Sequence, residues 1–86
     1  MDAYPLLVIA LAMAGTDPDL IRFGAAIRTL RMRRRLTQEK LAALSHLDRS
    51  FVGQIERGES NVSFLNVTRL LAGLRASWSE LAALLD

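Results

Sequence analysis

The stretch that decides the fold is Thr37–Gly58, TQEKLAALSHLDRSFVGQIERG, which follows almost directly on the basic run RMRRR of residues 31–35. Thr37 can cap a helix, and Gln38 through Leu44 suit its body. Ser45-His46-Leu47 reads as a short turn, and Asp48 caps a second helix over Arg49 to Arg57. Gly58 then stands where a chain leaving a helix adopts a left-handed conformation. Two short helices joined by a tight turn form a helix-turn-helix unit.

The side chains of this unit divide by spacing. Leu41, Leu44, Leu47, Val52 and Ile55 recur where they lock the two helices together over a core. That leaves Arg49, Ser50, Gly53 and Gln54 on the outward side of the second helix. In units of this kind the second helix enters the major groove of DNA, and the outward residues have the chemistry for it. Arg49 can donate two hydrogen bonds to guanine, Gln54 can pair with adenine, and Ser50 can reach a base or a phosphate. Gly53 carries no side chain to obstruct the groove. Gln38, at the start of the preceding helix, is placed to meet a phosphate alongside backbone amides.

Working outward, cap chemistry marks the remaining elements, and no segment shows the strict alternation of a strand. Asp17, Pro18 and Asp19 open a helix to about Arg34, with Phe23, Ile27 and Leu30 forming its core-facing stripe. Ser63 caps a helix from Phe64 to Leu74, and Ser77-Trp78-Ser79-Glu80 is a capping box opening Leu81 to Leu85. Ahead of all these, YPLLVIALAMAG is nearly all apolar and ends at Gly15. The expectation is an all-α domain over residues 17–86, preceded by an apolar helix or leader over residues 1–16.

Composition narrows the function. A chain of 86 residues, 51% hydrophobic, is one small globular domain. It has no cysteine, so packing alone must hold it, as suits a reducing, cytoplasmic setting. The leader is too short to cross a bilayer and lacks the basic start of a signal peptide, so no membrane partner is expected. The net charge is only +2, yet residues 28–57 hold eight basic residues (Arg28, Arg31, Arg33, Arg34, Arg35, Lys40, Arg49, Arg57) against three acids (Glu39, Asp48, Glu56). An excess of five in one segment points to a polyanion. Arg34 and Arg35 are candidate phosphate contacts, although cations there also suit the end of a helix dipole. His46 is the only histidine, so no metal site or cofactor is expected. Ser45, His46 and Asp48 are neighbours in one turn and cannot take up triad geometry, so no enzyme is expected.

The segment TQEKLAALSHLDRSFVGQIERGESNVSF is similar to the Cro/repressor (XRE) family of helix-turn-helix regulators, and LDRSFVGQIERG with the following NVS most resembles restriction-modification controller proteins. The resemblance runs from about Asp19 to Leu85. It implies a five-helix fold, a homodimer and double-stranded DNA bearing a palindromic operator. It assigns base contacts to Arg49, Ser50 and Gln54, and phosphate contacts to Thr37, Gln38, Ser60 and Asn61. Glu59 departs from the basic residue often found at its position. Arg31 and Glu56 correspond to a structural ion pair. Trp78, Leu81, Leu84 and Leu85 are core residues by default, and dimerisation through the last helix also makes Trp78, Leu81 and Leu85 interface candidates. A regulator of this type also has RNA polymerase as a prospective partner. Two alternatives stay open: a phage-type or antitoxin-like repressor, and a protein-interaction module that works through the apolar leader.

Overall fold

The computed structural model describes Leu6 and residues 17–86. Five helices succeed one another: α1 (Pro18–Arg33), α2 (Gln38–Ser45), α3 (Arg49–Glu56), α4 (Phe64–Leu74) and α5 (Trp78–Leu85). There is no strand among the described residues. The all-α, five-helix expectation holds, while the leader expected over residues 1–16 lies, Leu6 apart, outside the described residues.

Every helix start carries the cap that its sequence announces. Asp17 accepts from the Asp19 amide at 2.8 Å and Pro18 takes the first helical position. Thr37 Oγ1 accepts from Lys40 at 3.0 Å, Asp48 from Ser50 at 3.0 Å, and Ser63 from Asn66 at 3.1 Å. Ser77 and Glu80 form a reciprocal capping box.

The helix ends share one device. Residues Arg35, His46, Gly58 and Arg75 each adopt a positive φ, between 51° and 74°. Beyond each, a backbone N–H reaches back to a carbonyl five residues earlier: Leu36 to Arg31, Leu47 to Ala42, Glu59 to Gln54 and Ala76 to Leu71. This wrap satisfies carbonyls that the helix leaves open. At three ends the residue that closes the wrap, Leu36, Leu47 or Ala76, packs against the core. After α3 it is Glu59, which is exposed.

Ile27, Leu30, Leu41, Val52, Ile55, Leu70 and Leu74 are all within 1% of complete burial and make the centre of the core. Each removes from water an apolar side chain worth roughly 1.5–3 kcal/mol. α2 packs on α4, while α1 packs on α3 and α5. The α1–α3 contact is close because residue 24 is glycine. A Cβ there would fall on the Ile55 carbonyl oxygen and lie 2.8 Å from that of Glu56.

One expected core position comes out differently. Leu44 is 44% exposed, because the buried side of α2 is Leu41, Ala42 and Ser45. Leu81, read as core by default and also as an interface candidate, takes the core position, 3% exposed within its own domain. It has almost no area left to bury against a partner. Trp78 is half-exposed and stacks on Phe64 with ring centroids 5.3 Å apart, and Leu85 is half-buried.

Candidate nucleic-acid interface

The period of α3 sorts its residues into two sets. Val52 and Ile55 point into the core, whereas Arg49, Ser50 and Gln54 are exposed along one side. Gly53, expected outward, is instead buried. A Cβ on it would lie 3.2 Å from an Arg57 guanidinium nitrogen, 3.3 Å from one of Arg49 and 3.7 Å from Gln38 Oε1. The missing side chain therefore makes room for two cations that fold over the helix surface.

The exposed cations carry acids beside them. Arg49 Nε lies 3.5 Å from Glu39 Oε2, with both side chains more than half exposed. Hydrogen bonding from its own backbone amide, and then the Arg49 charge, hold the Glu39 carboxyl below the usual range. Sequence reasoning assigned Glu39 no part at the interface. Its signal was an opposite charge ten positions ahead of Arg49, which only the turn brings near. Arg57 Nε donates to Glu59 at 2.9 Å, and each partner stabilises the charged form of the other. Ser60 Oγ donates to Gln54 Oε1 at 2.8 Å.

Behind this face lies a buried polar junction. Arg31 binds the Glu56 carboxylate in a fork, through Nε at 2.6 Å and Nη2 at 3.1 Å, and its Nη1 donates to the Leu36 carbonyl at 2.8 Å. The side chains are 14% and 4% exposed. The hydrogen bond to Glu56 raises the Arg31 pKa above its ordinary value, so the guanidinium stays charged. Gln38 Nε2 donates to the same carboxylate at 2.9 Å. Three helices thus meet on Glu56: α1 through Arg31, α2 through Gln38, and α3 itself.

Thr37, Arg35 and Asn61 are exposed, and Ser60 is half-buried. Arg34 is drawn elsewhere. Its Nε donates to the Leu74 carbonyl at 2.8 Å, and its Nη2 reaches the Arg75 carbonyl at 3.2 Å and Glu80 at 3.1 Å. That anchors the end of α1 to the joint between α4 and α5. The Arg34 Nε and Nη2 are thereby committed to the fold. Among the described residues no helix is long and apolar enough to cross a membrane.

Two short capped helices joined at a left-handed residue, with one polar face of α3 left uncovered, define a helix-turn-helix protein. Residues 22–85 match the helix-turn-helix domain family. The chain is 44% identical over 62 residues to the control protein C.MunI of a Mycoplasma species, a match covering 71% of this chain and 84% of the relative. Its structure superposes on that of the restriction-modification controller protein C.AhdI from Aeromonas hydrophila with a TM-score of 0.71 and 49% identity, covering 73% and 96% of the two chains. It also superposes on the restriction-modification controller C.Esp1396I, solved as a tetramer on its natural 35 base-pair operator, with a TM-score of 0.76 and 29% identity over 80% and 91% of the chains. The chain belongs to the restriction-modification controller proteins, helix-turn-helix regulators that bind DNA.

Proposed function

We propose that this protein controls restriction-modification genes as a homodimer, each subunit placing α3 in one of two successive major grooves of an inverted-repeat operator about 34 Å apart. The observation that carries the reading is the exposed row Arg49, Ser50 and Gln54 on a helix whose opposite side, Val52 and Ile55, is buried within 1% of completion. Arg49 presents a fork for guanine, and Ser50 and Gln54 extend the contact along the groove. Thr37 and Gln38 at the start of α2, Asn61 and the Ser60 backbone N–H after α3, and Arg35 supply phosphate contacts, the Ser60 hydroxyl being given to Gln54. The Gln38 side-chain amide is engaged by Glu56, so its contribution comes through the backbone N–H at the helix start.

A second copy is proposed to dock on the apolar surface of Phe64, Leu65 and Trp78, which are 75%, 56% and 49% exposed, with half-buried Leu85 as a further candidate. Leu81 takes no part. The dimer works in the cytoplasm, where RNA polymerase at the controlled promoter is its further partner. A gel shift against the DNA upstream of the protein's own gene tests the reading. A complex should survive excess random competitor and weaken steeply with added salt. Equal affinity for upstream and random DNA would sink it.

A further inference from the structure

We propose that Ser60 is a positioning residue for base recognition: it holds the Gln54 carboxamide so that the Nε2 amine, and not the oxygen, faces the groove. The inference rests on the reading of α3 as the base-reading helix. Gln54 is exposed at the far end of the polar row, and a long exposed side chain samples several rotamers unless a partner holds it. Ser60 Oγ donates to its Oε1 at 2.8 Å. With the oxygen turned to the loop, the two amine hydrogens are the outward group. They match base edges that carry acceptors, guanine N7 and O6 or thymine O4, and oppose cytosine, whose exposed N4 is itself a donor. The residue then favours acceptor-bearing edges in general, beyond the adenine pairing its type alone suggests.

The backbone explains why Ser60 arrives there. Gly58, at φ 74°, turns the chain back on α3, and the Glu59 amide closes on the Gln54 carbonyl at 2.9 Å. Gly58 sits against α1, since a Cβ on it would lie 2.8 Å from both Ile21 Cα and Ile21 Cγ1. The loop is thereby seated against a fixed element, and Ser60, two residues on, reaches the Gln54 side chain. Glu59 is held outward by Arg57 at 2.9 Å, which leaves Ser60 as the residue that turns back. A hydroxyl that only met phosphate would have no need of this contact.

Selection of a fully randomised duplex pool by the full chain tests the proposal, with Gln54→Ala, Ser60→Ala, Ser60→Thr and the double variant run in parallel and circular dichroism confirming helical content. At the base pair where Gln54→Ala loses preference, Ser60→Ala should lose preference too, by roughly 3- to 10-fold, as for one net hydrogen bond. The double variant should lose no more than Gln54→Ala alone. Ser60→Thr, which keeps the hydroxyl, should restore the preference, and the parent should disfavour cytosine there. Retained preference in Ser60→Ala, an equal weakening on all sequences, or a parent preference for cytosine would each overturn the proposal. A parent that selects no sequence at all would overturn the base-reading helix itself, a result distinct from the others.

Discussion

Glu56 and Gln54 stand two residues apart on α3 and meet opposite fates. Glu56 is 4% exposed at its side chain and accepts from both Arg31 and Gln38, so α1, α2 and α3 share one carboxylate. Gln54 is exposed, and its side chain meets the loop at Ser60. The same helix thus carries a polar cluster that fixes the angle between helices and a polar row left open to solvent. Burial separates the two roles. A charge removed from water must be paired, and then resists substitution, whereas an exposed side chain keeps its partners exchangeable.

The largest effect should come from breaking the inner cluster. Glu56→Ala leaves the Arg31 guanidinium buried without its anion and should cost about 3–5 kcal/mol of stability. Chemical denaturation checks this, and a variant as stable as the parent would remove the distinction. Next in size, Arg49→Ala should leave the melting temperature unchanged and weaken operator binding by about 1–3 kcal/mol, with relaxed base choice. A matching loss of stability would place Arg49 with the inner set. Smaller still, Glu39→Gln removes the acid 3.5 Å from Arg49 and should tighten binding to every duplex, by up to about fivefold at low salt, in titrations by fluorescence anisotropy. A gain confined to the operator would show Glu39 acting in base choice instead.

The smallest effect concerns an outer pair remote from α3. Glu80 accepts first from the Ser77 amide and then from Arg34, and both keep its carboxyl below the usual range. Its contribution to stability is therefore present above the ordinary carboxylate pKa and fades as pH falls through the lowered one. Glu80→Gln should melt below the parent at neutral pH, with the gap closing on acidification. A gap that stays constant with pH would assign the effect to packing alone.

Local chemistry made most of the elements legible in the sequence. Thr37, Asp48, Ser63 and Ser77 each bond an amide within three residues, so the cap is written beside the helix it starts. The joining of Arg31 to Glu56 followed from family resemblance, since 25 positions separate them. What escaped the sequence depends on how helices cross. Arg34 is taken up by carbonyls 40 and 41 positions away, which no periodicity foretells. Leu44 and Gly53 obey the apolar or small pattern, yet their exposure is set by which neighbour lies opposite. The open row Arg49, Ser50 and Gln54 was legible because α3 is short and its buried side is unambiguous.

The left-handed residues at the four helix ends bear on the speed of folding. Each wrap closes a hydrogen bond across five residues, from Leu36 to Arg31 through to Ala76 to Leu71, so these reversals of chain direction rest on contacts local in sequence. Little loop-closure entropy remains for the search over arrangements of α1 to α5. An all-helical chain with joints of this kind belongs among fast folders, on the order of microseconds to milliseconds. Arg35, His46 and Arg75 hold a conformation that glycine adopts more readily. Glycine at any of the three would leave the joint intact and shift the rate at which it forms.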